Sequence, residues 1–188
     1  MRNVWTEAEG RKIVEAVFPR VPTRGTDGLA PGKREDEMLL ALEGYTDPLP
    51  APDGVTFGFY SGDPAPLLAA VSEVEPGWAK YYDGREPAFC GFVGETVVSF
   101  CLLSDFGERE ILGVKSRVGG TGCVGTLPAY RRRGIGLKMV SLGTLILKER
   151  GFDYSYIHDT GVPDWYAKLG YKTIFKREIP AENRPDGG

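Results

Sequence analysis

The sequence holds one histidine, His158, so no metal site can be built here from several histidines. Its three cysteines, Cys90, Cys101 and Cys123, are an odd number with no CxxC spacing. That pattern argues against a disulfide framework or a cysteine zinc site, and a reducing cytoplasmic location is expected. No run of about 18 apolar residues occurs, so no segment is read as a membrane span. The first nine residues have no apolar signal core, so secretion is not expected. Neither sign of charge dominates: the net charge is −3. Broad attraction to nucleic acid or to a membrane surface is therefore not expected. What is present is globular in kind, with 41% hydrophobic, 26% charged and 11% aromatic residues in a chain of 188.

Charge divides the chain unevenly. Residues 1–53 carry seven Lys/Arg and ten Asp/Glu, and residues 54–188 carry 16 of each, so the front segment holds the whole net charge of −3. This segment is rich in Gly and Pro at 19–32 and 46–54. It reads as an acidic appendage of two short helices. The first spans about 7–18, with Thr6 and Glu9 spaced as a capping box. The second spans about 34–44, with Glu35, Asp36 and Glu37 at its positive end and leucines following. From residue 54 the pattern changes to strand at 55–60, helix from Asp63-Pro64 through Val74, and a further helical turn at 78–82. Strands at 88–93 and 96–103 form a hairpin, and 104–115 has no clear pattern. A glycine-bearing strand at 117–127 precedes the strongest helix, 134–150. A strand at 152–157, a short helix at 163–169 and a last strand at 171–179 follow, then a polar tail, 180–188, expected to be disordered. The expectation is a single α/β domain over 54–179, a mixed, mostly antiparallel sheet flanked by helices. The strands on either side of the long helix should be parallel.

The chemistry concentrates at Arg131-Arg132-Arg133-Gly134-Ile135-Gly136-Leu137, between that strand and that helix. A helix start presents unpartnered N–H groups and partial positive charge, and glycine lets an anion come close. A pyrophosphate suits this arrangement; a glycine-rich helix start with a solvated basic turn is the plainer reading. Gly120-Thr121-Gly122-Cys123-Val124-Gly125 spells GxGxxG but opens no helix, so a dinucleotide fingerprint is rejected.

Arg131-x-x-Gly134-x-Gly136, preceded by Val124-Gly125-Thr126-Leu127-Pro128-x-Tyr130, resembles the acetyl-CoA signature of the GCN5-related N-acetyltransferases. Trp165-Tyr166-Ala167-Lys168-Leu169-Gly170-Tyr171 is similar to that family's second signature. The resemblance covers roughly residues 54–179 and implies acetyl transfer from acetyl-CoA, without a metal, to a small-molecule or peptide amine. It implies that pantetheine pairs with the edge of Val124, Gly125 and Thr126. The pyrophosphate would sit on the amides of Arg132, Arg133, Gly134, Ile135, Gly136 and Leu137, beside Arg131. Tyr166 would be the general acid on the departing thiolate, and the Val124 N–H would polarise the thioester carbonyl. A dedicated base is not specified: no carboxylate lies on the strand at 117–127, and His158 and Asp159 are the candidates, or a water relay. Cys123 is a small buried residue or, alternatively, a covalent acetyl carrier.

Trp78, Tyr81 and Tyr82 are candidates for an aromatic acceptor wall, or else core. The family closes with two antiparallel strands after its last helix, whereas here one remains. The seventh strand would then be absent, or come from residues 1–5 or from a second chain in a homodimer. A CoA-binding sensor without turnover is the alternative function.

Overall fold

The computed structural model describes residues 4–21 and 29–179. Helix α1, Glu7–Val17, starts where the capping box places it: Glu9 N donates to Thr6 Oγ1, and Thr6 N donates to Glu9 Oε2. The strands are β1 (Arg34–Ala41), β2 (Thr56–Phe59), β3 (Ala88–Val93), β4 (Thr96–Ile111), β5 (Val114–Thr126), β6 (Tyr154–Thr160) and β7 (Lys172–Glu178). The other helices are α2 (Ala65–Val74), α3 (Ile135–Glu149) and α4 (Pro163–Ala167), with 3-10 turns at Pro76–Tyr81 and Pro128–Tyr130. The seven strands form one sheet in the order β2-β3-β4-β5-β6-β1-β7, antiparallel except for β5 beside β6.

The second expected helix is a strand, and residues 1–53 are not an appendage of two helices. β1 lies inside the sheet, antiparallel to both β6 and β7. It is buried from Asp36 to Ala41, because helices cover both of its faces. Leu39 and Ala41 pack under α1, while Met38 and Leu40 pack under α3. A strand covered on both sides reads as a continuous apolar run without alternation. Leucine and methionine are also good helix formers, and tertiary burial overrides that preference here.

The seventh strand, expected to be missing, is thus β1 of the same chain, so the vacancy that suggested a partner chain is filled. Residues 1–3 and the tail expected to be disordered, 180–188, lie outside the described residues. The stretch 104–115, polar and without a clear pattern in the sequence, is the outer part of the β4–β5 hairpin, turning at Leu112 and Gly113 with φ of +51° and +85°.

β1 is sixth in the sheet and β2 is first, so the chain between them must cross the outside of α3. This strap is fastened by polar contacts. Tyr45 Oη lies 2.8 Å from Ser141 Oγ, and Ser141 donates to Asp47 at 2.7 Å. Lys138 pairs with Asp47 and donates to the Leu49 carbonyl at 2.5 Å.

The two sheet faces are distinct. α1 and α2 cover one, packing on Tyr156 and on Leu102 respectively. α3 and α4 cover the other, packing on Ile157, Cys101 and Leu103. Among the described residues no helix is long and apolar enough to cross a membrane.

Candidate active site

The parallel strands β5 and β6 pair at two positions, Val118 with Tyr154 and Gly119 with Ser155. Beyond them the strands separate, although β5 runs on to Thr126 and β6 to Thr160. A bulge sets β5 on this course. The β4–β5 register shifts between Phe100 and Leu102, so Cys123 and Val124 have no cross-strand partner, and Cys123 has φ of +47°. The Tyr82 hydroxyl donates to the Cys123 carbonyl at 2.8 Å and holds the bulge.

The glycines of β5 have separate reasons. A Cβ on Gly120 would lie 2.1 Å from the Tyr156 carbonyl oxygen, and one on Gly125 would lie 2.2 Å from the Phe100 ring. These two are therefore small because neighbours press on them. They are not a bare edge kept for a ligand. Gly122 differs, with 4.0 Å to its nearest neighbour, Ser104 Oγ.

At the end of β5 the chain turns into α3. Arg132 and Gly134 have φ of +63° and +76°, and no side chain caps the helix. The first intrahelical bond is Lys138 N to the Gly134 carbonyl, so the amides of Ile135, Gly136 and Leu137 point out of the helix without intrahelical partners. A Cβ on Gly134 would meet nothing within 4 Å, which leaves open space at the helix start. Gly136 is glycine for another reason: its Cβ would lie 2.7 Å from Thr126 Oγ1, so it lets helix and strand approach closely.

A cleft of about 420 Å³ opens here. It brings together Val124, Gly125, Thr126, Arg131, Arg132, Gly134, Ile135, Gly136, Leu137 and Tyr166 from the sequence-derived set. Val74, Tyr130, Val162 and Trp165 also line it, and no motif marked Val74 or Val162. Arg133 is not in the lining; its guanidinium lies 5.5 Å from the Tyr130 ring centroid. Arg131 Nε donates to the Thr126 carbonyl at 3.0 Å, tying the turn to the strand end. Open space, outward amides and two arginines at one end suit a diphosphate, while the apolar trough toward Tyr166 suits a pantetheine arm.

Tyr166 is 6% exposed, wedged against Trp165 and Tyr171 at ring distances of 4.8 and 6.0 Å. Among the described residues its hydroxyl has no hydrogen-bond partner. Burial, then the neighbouring Tyr171, Cys101 and Cys123, raise its ionisation well above the usual tyrosine range, so it holds its proton.

His158 and Asp159 stand apart from this cleft, on the sheet face covered by α1 and α2. The His158 ring stacks on Phe18 at 4.3 Å, with Nδ1 2.9 Å from Glu37 Oε2 and Nε2 3.1 Å from Asp159. Glu37 was not singled out in the sequence, where it reads as a helix-start acid. Trp78, Tyr81 and Tyr82 do not form one wall. Tyr82 is buried against β5, Tyr81 is half exposed with Lys80 over its ring, and Trp78 packs at the edge of the α2 core. Tyr82 also lines a second cavity of about 600 Å³ with Tyr60, Leu67, Asp83 and Glu86. The Cys123 thiol is pushed up to about 11 by burial and then by Glu86, which disfavours the thiolate a covalent carrier needs.

A model of the acetyltransferase (GNAT) family matches residues 59–171. No curated protein matches. Among solved structures, the GCN5-related glucosamine N-acetyltransferase region of a fungal multi-domain β-N-acetylglucosaminidase is 22% identical, with a TM-score of 0.66 over 77% of this chain and 20% of that one. A GCN5-related N-acetyltransferase from Sphaerobacter thermophilus is 19% identical, with a TM-score of 0.58 over 84% of this chain and 53% of that one. One from Kribbella flavida is 19% identical at a TM-score of 0.55, over 76% and 55%. This chain therefore spans about half or less of each of these proteins, and at such identities the likeness is one of fold.

Proposed function

The chain belongs to the acetyltransferase (GNAT) family, and from that premise we propose that it moves an acetyl group from acetyl-CoA to a primary amine by direct attack. The observation that carries this reading is the cleft itself. One continuous trough joins the open helix start at Gly134, the parted edge of β5 at Val124 to Thr126, and the protonated Tyr166.

On this reading the amides of Ile135, Gly136 and Leu137, with Arg131 and Arg132, hold the diphosphate of the donor. Arg133 supports the turn through Tyr130 and adds positive charge at its mouth. Val124, Gly125 and Thr126 present the strand edge along which the pantetheine arm pairs. The Val124 N–H, at the bulge where the β4–β5 register shifts, is the donor assigned on this reading to the thioester oxygen. Tyr166 supplies a proton to the departing thiolate. Its burial keeps the phenol neutral, so a proton is on hand for the thiolate at the end of the trough. Holding amine and thioester in one cleft adds the proximity term, worth several kcal/mol of barrier.

The acceptor enters from the α2 side of the parted strands, past Val74 and the Tyr82-braced bulge. The test is calorimetry with coenzyme A and acetyl-CoA, followed by thiol release from acetyl-CoA across a panel of primary amines. Binding with amine-dependent thiol release supports the assignment. Binding without release by any amine would leave a CoA-binding module and refute the transfer.

A further inference from the structure

Where β5 borders the cleft, side chains take its carbonyls. Tyr82 Oη donates to that of Cys123 at 2.8 Å, Ser99 Oγ to that of Gly125 at 2.8 Å, and Arg131 Nε to that of Thr126 at 3.0 Å. Two of these bonds have local reasons. Ser99 stands opposite Thr126 in the β4–β5 ladder, and Arg131 closes the turn into α3. Tyr82 is different: it reaches Cys123 across 41 positions, from the end of the 3-10 turn Pro76–Tyr81.

Tyr82 is built to hold still. It is 6% exposed and packs with Leu67, Val71 and Leu102 in the core under α2. Its ring meets that of Phe100 edge-on at 5.7 Å. Phe100 is also the ring that a Cβ on Gly125 would strike. Tyrosine and bulge are thus seated against the same phenylalanine. Burial, then the neighbouring Cys101, Cys123 and Cys90, raise the ionisation of the Tyr82 hydroxyl well above the usual tyrosine range, so it remains a donor.

The peptide that Tyr82 grips is the one joining Cys123 to Val124. It is trans, so its C=O and N–H point in opposite directions. A carbonyl turned toward Tyr82, in the core under α2, therefore aims the Val124 N–H away from that core. Val124 itself packs on the other face, against the clusters that hold Tyr166 and Met139, and lines the cleft. Cys123 meanwhile keeps φ of +47°, a conformation that a non-glycine residue seldom holds unless its surroundings impose it.

Resting on the transferase reading above, we infer that Tyr82 is a positioning residue which, by fixing the Cys123 carbonyl, aims the Val124 N–H at the thioester oxygen. Negative charge grows on that oxygen as the amine attacks, and a donor already aimed at it needs no rearrangement at that moment. Tyr82 touches neither substrate, and no proton passes through it.

Cys123-Val124 is the one Cys–Val step in the sequence. Protein carrying carbonyl-¹³C cysteine and ¹⁵N valine therefore gives a single HNCO cross-peak, from this peptide. In wild type the Val124 amide proton should move downfield when acetyl-CoA replaces coenzyme A. In Tyr82→Phe, which keeps the ring and its packing, the Cys123 carbonyl should shift and the acetyl-dependent movement of the amide should be largely lost. The value of kcat should fall on the order of 10- to 100-fold, less than the roughly 10²–10³ of deleting such a donor. Calorimetric affinity for coenzyme A should not change. Tyr82→p-aminophenylalanine retains a donor at the same reach and should restore both kcat and the amide response, which repair of packing alone would not do. Tyr82→3-fluorotyrosine serves if the phenylalanine variant does not fold: it sharpens the donor without removing it, so carbonyl and amide should move together. A carbonyl that moves there while the amide stays fixed overturns the inference. So does an amide that responds to the acetyl group equally in wild type and Tyr82→Phe, or in neither, and amine-dependent thiol release then leaves the transferase reading intact. A wild-type protein with no amine-dependent turnover removes both.

Discussion

Replacing Tyr166 with phenylalanine takes away one oxygen from a ring that is otherwise fixed on all sides. The ring stays locked by Trp165 and Tyr171 and by the apolar core that includes Leu169 and Val140. The hydroxyl has no partner among the described residues, so its loss orphans no donor or acceptor. Stability should change by no more than about 0.5–1 kcal/mol. If this hydroxyl protonates the thiolate, kcat should fall on the order of 10²–10³-fold. At about 1.4 kcal/mol per decade that is roughly 3–4 kcal/mol of lost transition-state stabilisation. Affinity for acetyl-CoA should hold, because the substitution removes no group proposed to grip the diphosphate. The pH profile carries a second check. Burial first, then Tyr171, Cys101 and Cys123, raise the ionisation of Tyr166, so its acid form persists past the ordinary value of about 10. No alkaline limb from this group should appear below about pH 10. Stopped-flow thiol release and calorimetry on both proteins decide the matter, and a phenylalanine variant with the wild-type rate refutes the acid assignment.

Gly134→Glu should abolish the calorimetric signal with coenzyme A while the protein stays folded: the Cβ position is open, and φ of +76° adds strain of about 1–2 kcal/mol. Asp47→Asn should cost about 3 kcal/mol by urea denaturation, since Lys138 is left 10% exposed without its charge partner. Burial pushes the Asp47 carboxyl upward, but hydrogen bonds from Lys138 and Ser141 outweigh it and hold it below the usual range. Its folded-state ionisation is thus depressed, so the difference between wild type and variant should be full above about pH 5 and vanish as pH falls through that depressed value. A difference that grows toward acid pH contradicts the strap contact. Deletion of residues 1–53 should give no cooperatively folded protein, because Met38, Leu39, Leu40 and Leu42 are all buried. At roughly 1.5–3 kcal/mol per apolar side chain their loss is comparable to the about 5–15 kcal/mol that holds a domain together. A 54–188 fragment with a sharp thermal transition would contradict the placement of β1.

How much of this was legible in the sequence depends on whether the signal was local. The capping box of α1 is two side chains three residues apart, and it formed as spaced. The β5–α3 turn and the α4 signature are contiguous segments, so their residues converge on one cleft as the motifs require. β1 differs from the helix its sequence suggests because its determinants are distant. Nothing within 34–41 distinguishes a helix of Glu, Asp, Met and Leu from a strand roofed on both faces by α1 and α3. Only the insertion between β6 and β7 settles it. The outer half of the β4–β5 hairpin is silent in the sequence for the opposite reason. Its residues are polar and exposed, so no apolar alternation marked them, and the cross-strand ladder itself supplies the order.

The same distinction separates the two halves of the candidate site. The proposed donor side is written in one stretch of chain, turned by positive φ at Arg132 and Gly134. The surroundings of His158 and of the β5 bulge are assembled from residues far apart. His158 and Glu37 are separated by 121 positions, and Tyr82 reaches Cys123 across 41. A lone histidine at a strand end has no periodicity or spacing to show its partner, and a glutamate in an acidic cluster looks like a helix-start charge. Their meeting depends on β1 lying between β6 and β7. The bulges on its neighbours, where His158 and Asp159 of β6 oppose Glu37 alone and Ile174 of β7 is the extra residue between Glu37 and Met38, then set which carboxylate faces His158. A one-residue slip in β1 would exchange the faces of every side chain along it. It would turn Glu37 away from the imidazole while leaving the donor cleft unchanged. The front segment therefore couples two properties that local sequence treats as separate: closure of the sheet, and the charge environment of its sole histidine.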